Sequence, residues 1–240
     1  MYLLIDIGNT RIKWQHRDDE SILNSSSMMV ENFMDIDFSD LQLVKKVLIS
    51  NVNQAVVLDK IKESVSLFGC PIIEAKSETN HILINDYEDS LSLGVDRWLT
   101  ALGAWKKYKK PLLVINAGTA ITIDWIDLDS QEKPHFKGGM ILPGVAISLA
   151  ILNDSTNLID TEIGTTKYPS VNTTDAVTTG IFTSIQGAVN LVCRKLPPTL
   201  PILLTGGDAY LIYEQSDNEW KSRIKMEDDL VFEGLAFLNI

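Results

Sequence analysis

The chain has 240 residues, 45% of them hydrophobic and 22% charged, with a formal net charge of −11. That length suits one large domain or two small ones with a full core, and the charge repels nucleic acid and acidic membranes unless a local basic patch intervenes. The distant Cys70 and Cys193 suit a reducing cytoplasm, and His16, His81 and His135 are too scattered to suggest zinc.

Tyr2–Ile7 reads as a buried strand, Gly8-Asn9 as a tight turn, and Arg11–Trp14 as a second, alternating strand. This apolar start carries Asp6 and no basic leader, so a signal peptide is not expected. No apolar run reaches the roughly 18 residues of a membrane span. The turn has two readings. It is a solvated surface hairpin, or it is a phosphate cradle. In the second, Gly8 lets the backbone approach a polyphosphate, Asn9 and Thr10 donate hydrogen bonds, Arg11 or Lys13 brings charge, and Asp6 holds a hydrated Mg²⁺.

Further along, Lys46–Val52 predicts a strand, Gln54–Phe68 a helix stopped by Gly69, and Pro71–Ala75 a short strand. Ser90–Lys110 predicts a longer helical region with Trp98, Leu99, Leu102 and Trp105 on one face, ended by Pro111. Its tract Lys106–Lys110 reads as a solvated helix C-terminus. Asp96 and Arg97 open this helix. They are either a dipole partner and a surface cation, or a catalytic carboxylate, kept ionised by the helix field, beside an anion-binding arginine.

Residues 112–125, LLVINAGTAITIDW, repeat the build of LLIDIGNTRIKW about 110 residues earlier. Each has an apolar strand, a polar residue (Asp6 or Asn116), a glycine, a threonine and a second strand reaching a tryptophan. The repeat predicts two halves, 1–111 and 112–240, whose turns grip a polyphosphate from both sides. In the second half, Pro143–Leu152 predicts a helix after the glycine-rich loop GGMILPG, and Thr174–Leu196 a long helix. Pro201–Leu204 predicts a strand running into TGGDA and a helix, and Phe232–Ile240 a terminal helix. TGGDA either offers bare backbone N–H groups to a nucleotide or is a turn with Asp208 as N-cap. The pattern is mixed α/β. The frames of a P-loop, a dinucleotide fold and a serine esterase are absent.

The sequence resembles the type III pantothenate kinases, of the acetate and sugar kinase/Hsp70/actin superfamily. The matching pieces are DIGNTRIK at 6–13, GVDR at 94–97, NAGTAITID at 116–124, GGMILPG at 138–144, NTTDA at 172–176 and TGGD at 205–208. The resemblance implies two ribonuclease-H-like α/β halves with mixed sheets flanked by helices. It implies MgATP-dependent phosphorylation of pantothenate by a cytoplasmic homodimer. It also implies roles by position. Asp6, Ile7, Gly8, Asn9, Thr10, Arg11, Ile12 and Lys13 form the first phosphate loop, with Asp6 near the Mg²⁺, and Thr119 is a second phosphate contact. Asp96 is the general base. Tyr87, Gly94, Val95, Asp96, Arg97 and Thr173 contact pantothenate, Arg97 at its carboxylate. Asn116 stands where the family places an Asp that binds K⁺ or NH₄⁺, so the site loses a formal charge. The rival readings are a kinase of the same superfamily acting on another small alcohol or carboxylate, and a non-enzymatic transcription accessory protein. No nucleic acid or membrane partner is expected.

Overall fold

The computed structural model describes residues 1–18, 21–78, 80, 82–156, 161–216 and 218–238. His81 and the last two residues of the expected terminal helix lie outside them. The chain divides into two units, one of residues 1–110, 128–137 and 229–240, the other of 111–127 and 138–228.

In the first unit, β1 (Tyr2–Ile7) pairs antiparallel with β2 (Arg11–Arg17), which pairs antiparallel with β3 (Ile22–Met29). On its other side β1 pairs in parallel with β4 (Val47–Asn51), and β4 with β5 (Ile72–Glu74), giving the order β3-β2-β1-β4-β5. Side chains alternate across a strand. Leu3, Ile5 and Ile7 therefore share one face, packed with Ile12, Val47 and Ile49 against Val57, Leu58 and Ile61 of α1 (Ala55–Val65). Leu4, Asp6, Leu48 and Ser50 belong to the other face. The two-residue β6 (Ile84–Asn85) leads to α2 (Val95–Tyr108), whose apolar residues Trp98, Leu99, Ala101 and Leu102 are fully buried.

The second unit repeats this wiring. β7 (Leu112–Ala117) and β8 (Ala120–Leu128) form an antiparallel pair, and β9 (Pro134–Pro143), which begins in the first unit, continues beyond β8. After α3 (Val145–Ser155) and α4 (Thr173–Lys195), β10 (Ile202–Thr205) pairs in parallel with β7. The short α5 (Ala209–Glu214) and α6 (Asn218–Lys221) precede β11 (Ile224–Met226), parallel to β10. The sheet has six strands in the order β6-β9-β8-β7-β10-β11, and the run from β9 to β11 follows the order of the first sheet. Each unit is thus ribonuclease-H-like, with a mixed sheet and flanking helices. Leu113, Ile115 and Ala117 face Val177, Ile181, Phe182, Ile185 and Val189 of α4. That helix is long and apolar enough by composition to cross a membrane; its core-facing stripe accounts for much of that content.

The glycine-rich segment GGMILP, expected as a loop, is the end of strand β9. Gly139 lies so close to β8 that a Cβ there would come within 2.1 Å of the Ile123 carbonyl oxygen. Strand β3 escapes the sequence pattern because it is an exposed edge with polar residues at its centre, Asn24–Ser27.

The chain returns to the first unit in α7 (Leu230–Phe237), which packs on α2. The approach is of backbone on backbone. A Cβ on Gly103 would sit 2.3 Å from the Leu230 carbonyl oxygen, and one on Gly234 would sit 2.0 Å from that of Leu99. Helix propensity alone would make Gly234→Ala stabilising by about 0.5–1 kcal/mol. The contact reverses the sign, because neither partner atom can yield without moving a helix. We expect Gly234→Ala to destabilise the protein by about 1–3 kcal/mol in urea unfolding.

Candidate active site

Asp6 is the polar exception on β1. Its register partners are Lys13 on β2 and Ser50 on β4. It lies on the sheet face opposite α1, and one carboxylate oxygen, Oδ1, is buried with no hydrogen-bond partner. Burial pushes this carboxyl up from 3.8 to about 6; Ser50 and Lys13 oppose the shift, and the negative charges of Asp96 and Asp229 add to it. The structure therefore brings Asp6 and Asp96, 90 residues apart in sequence, into one electrostatic neighbourhood. Asp229 joins them from the chain's last segment, at the N-cap position of α7. It accepts a hydrogen bond from Nε2 of the buried Gln15 at 2.9 Å. An ion pair from Arg17 to Glu233 at 2.8 Å fastens the same helix to β2.

The loop after Asp6 is a tight reversal. The Gly8 N–H donates to the Arg11 carbonyl at 3.0 Å, and the Gly8 carbonyl accepts from Asn53 Nδ2 at 2.8 Å. Ile7 and Ile12 are core residues, while Asn9, Thr10 and Arg11 are exposed at the tip. The turn thus combines a fixed backbone with exposed polar residues, of which Arg11 donates from Nη1 to Ser27 Oγ at 3.1 Å.

Gly94 is the N-cap of α2, followed by Val95, Asp96 and Arg97 in its first turn. The Asp96 carboxylate folds back to accept from the Arg97 N–H at 2.8 Å. The helix start was expected to keep Asp96 readily ionised. Burial works against that effect and raises its proton affinity above the ordinary carboxylate value, outweighing the Arg97 N–H and the Arg97 charge. Arg97 is not a surface cation either: it is 4% exposed. Its Nη1 donates to Tyr87 Oη at 2.8 Å. Its guanidinium carbon lies 5.6 Å from the Tyr87 ring centre and 5.8 Å from that of Phe136. Phe136, a single aromatic in a polar stretch, gave no sequence signal; pairing of β9 with β6 brings it here.

In the second unit Asn116 holds on β7 the place Asp6 holds on β1. Its register partners are Thr122 and Thr205, both neutral, where Asp6 has Lys13 and Ser50. The turn at Gly118-Thr119 is enclosed by two helix starts. The Gly144 N–H, at the N-cap of α3, donates to the Thr119 carbonyl at 3.0 Å, and the Asp208 N–H donates to the Ala117 carbonyl at 2.9 Å. Gly206 has φ of 102° and faces this turn so closely that a Cβ would lie 2.2 Å from the Ala117 oxygen and 2.7 Å from Asn116 Oδ1. Asp208 occupies the N-cap position of α5, as the second reading of TGGDA has it, but its side chain makes no cap hydrogen bond. Thr119 and Thr173 are exposed, Thr173 as the first residue of α4. The helix start at Thr173 is fixed by Asn172, whose Oδ1 accepts from the Asp175 N–H at 2.8 Å.

The chain as a whole is similar to known proteins. The family model for type III pantothenate kinase matches residues 2–195. This chain belongs to the type III pantothenate kinase family. Relatives named type III pantothenate kinase include one from Dechloromonas aromatica, 32% identical over 99% of this chain and 98% of its own length. Another, from Methylobacillus flagellatus, is 30% identical over 98% of this chain and 96% of its own. Among solved structures, a Campylobacter jejuni protein provisionally described as a Baf family transcriptional activator is similar in fold. It has a TM-score of 0.62 and 23% identity over 98% of this chain and 96% of its own. A Sinorhizobium meliloti protein provisionally described as a 2-dehydro-3-deoxygalactonokinase gives 0.58 at 12% identity, over 99% and 97%. Both likenesses concern fold. The family makes this chain a kinase.

The electrostatics of Asp6 are testable on the protein alone. An acid with raised proton affinity keeps its proton when folded at a pH where the unfolded chain has lost it. Stability contributed this way is present below about pH 4 and is lost as pH rises to about 6. Asp6→Asn has no charge to bury. In metal-free urea unfolding, its stability relative to the unmodified protein should rise across that window and level off at about 1–3 kcal/mol in its favour. A difference that stays flat with pH would show that Asp6 is well solvated.

Proposed function

We propose that this protein transfers the γ-phosphoryl group of ATP to the primary hydroxyl of pantothenate, the first step of coenzyme A biosynthesis. The observation that carries the acceptor assignment is the buried Arg97 beside Asp96. A guanidinium enclosed by Tyr87 and Phe136 suits a carboxylate-bearing acceptor, because a desolvated cation gains most from a matching anion. Asp96 is one residue away. A carboxylate whose proton affinity is raised by burial is a better base than a solvated one, and it accepts the hydroxyl proton as the new P–O bond forms. Gly94 and Val95 shape the helix start around the acceptor, and Tyr87 and Thr173 are further contacts. Residues 6–13 form the first phosphate loop and Thr119 a second phosphate contact.

The unpartnered Oδ1 of Asp6 fits a role toward hydrated Mg²⁺, which would neutralise phosphate charge. Asp6 must be ionised for this, so kcat/KM should fall as pH drops below about 6. In the second unit, Asn116 Oδ1 and the Ala117 carbonyl oxygen converge on the bare face of Gly206. Oxygen donors of this kind suit K⁺ or NH₄⁺, but Asn116 itself supplies no formal charge to offset dehydration of the ion. We place the enzyme in the cytoplasm as a homodimer. The apolar groove between α3 and α4, at which Ile151 is exposed, supports a second copy as its partner.

A coupled assay of ADP release with and without pantothenate, run beside other small alcohols, tests the reaction directly. Asp96→Asn should remain folded and bind ATP, with kcat reduced by about 10²-fold or more. A variant that keeps most of its turnover would remove Asp96 from the role of base.

The Asn116 site predicts a salt response. Turnover against KCl, with choline chloride holding ionic strength constant, should show no requirement for K⁺ or only a weakly saturating one. Asn116→Asp should bring saturable activation at lower KCl. Tight activation of the unmodified enzyme would show that neutral oxygens suffice.

A further inference from the structure

We propose that His135 and Asp86 are positioning residues that hold the Arg97 pocket in shape. This rests on the acceptor-site reading above, but the geometry behind it is independent. Strand β6 is only two residues long, and its pairing with β9 sets Ile84 opposite His135 and Asn85 opposite Phe136. So short a pairing is weak alone. It is reinforced by side chains on both sides of Phe136. His135 Nδ1–H donates to Asp86 Oδ1 at 2.6 Å, and Lys137 Nζ donates to Asp86 Oδ2 at 2.7 Å. His135 Nε2 is buried and lies 3.4 Å from Asp129 Oδ2, a residue that also accepts from the Gln131 and Lys133 N–H groups of the turn leading into β9.

Strand alternation gives this arrangement its consequence. Residues 135 and 137 turn to Asp86, so Phe136 turns the other way, where it is fully buried. There it meets Trp98 and Tyr87, with ring centres 6.2 and 6.0 Å away, and flanks Arg97. Asp86 immediately precedes Tyr87, and its N–H donates to the Phe136 carbonyl at 3.1 Å. One carboxylate therefore fixes both aromatic walls of the guanidinium. None of Asp86, His135 and Lys137 needs to touch the acceptor. Their role is to keep Tyr87 and Phe136 in register, and with them the direction in which Arg97 points.

The test uses His135→Ala, and His135→Asn as the rescue, since its amide can still donate to Asp86. Partly exposed pairs contribute little to global stability, so the melting temperature of either variant should fall by no more than about 4 °C. In the ligand-free protein, amide hydrogen exchange over residues 84–87 should speed up in His135→Ala and return toward normal in His135→Asn. In kinetics, KM for pantothenate should rise roughly tenfold in His135→Ala, with kcat and KM for ATP within about twofold, the pattern of lost acceptor binding. His135→Asn should restore it. Unchanged exchange over 84–87, or faster exchange with an unchanged KM for pantothenate, overturns the proposal. If the unmodified protein fails to phosphorylate pantothenate, the acceptor assignment falls; the exchange experiment then still decides whether His135 holds the pocket.

Discussion

A carboxylate near the end of a central, otherwise apolar strand is the constraint around which the first unit is arranged. Every neighbour of Asp6 on its own strand is hydrophobic, and Leu3, Leu4, Ile5 and Ile7 are wholly buried. The strand must be buried to hold the sheet together, so the carboxylate is partly desolvated with it. What surrounds it then decides its chemistry. Lys13 and Ser50 temper the cost, and Asp96 and Asp229 increase it. A site that gathers negative charge around an unsatisfied oxygen is unfavourable for the apoprotein and favourable for anything positive that enters. Strain of this kind is expected where function, rather than folding, sets the composition.

The second unit shows the same frame with the charge removed. Asn116 occupies the matching strand position, with Thr122 and Thr205 in place of Lys13 and Ser50. Both members of the Asp6–Lys13 cross-strand pair are thus replaced by neutral residues. The repeat is one of backbone plan, and the two turns differ in the ligands they can take.

Much of this was legible in the sequence, for local reasons. The strand–turn–strand units at 2–14 and 112–125 declare themselves through period-two burial and glycine turns, which involve only neighbouring residues. The helix starting at Gly94 was visible through its apolar stripe, and the family motifs located Asp96 and Arg97. What could not be read were properties set by distant packing. Arg97 looked exposable until Phe136 arrived from β9. The burial of Asp96, which raises its proton affinity, was not visible in its own neighbourhood of sequence. GGMILP looked like a loop, because glycine usually marks one; here Gly139 serves a strand in close contact with its neighbour. Gln15 and Asp229 lie 214 residues apart and meet only because α7 returns to the first sheet.

That return has a consequence for how the protein is made. Residues 1–110 of the first unit leave the ribosome before the second unit does, yet α2 lacks its helical neighbour until residues 230–237 emerge. All of the second unit, residues 111–127 and 138–228, is synthesised in between. During that interval the buried face of α2 is open to water or to chaperones. The second unit, contiguous but for a ten-residue excursion at 128–137, can complete its own sheet first. A premature stop that removed only the last dozen residues would leave 228 of the 240 residues, and would still take the backbone of α7 away from Leu99 and Gly103 on the helix that carries Asp96.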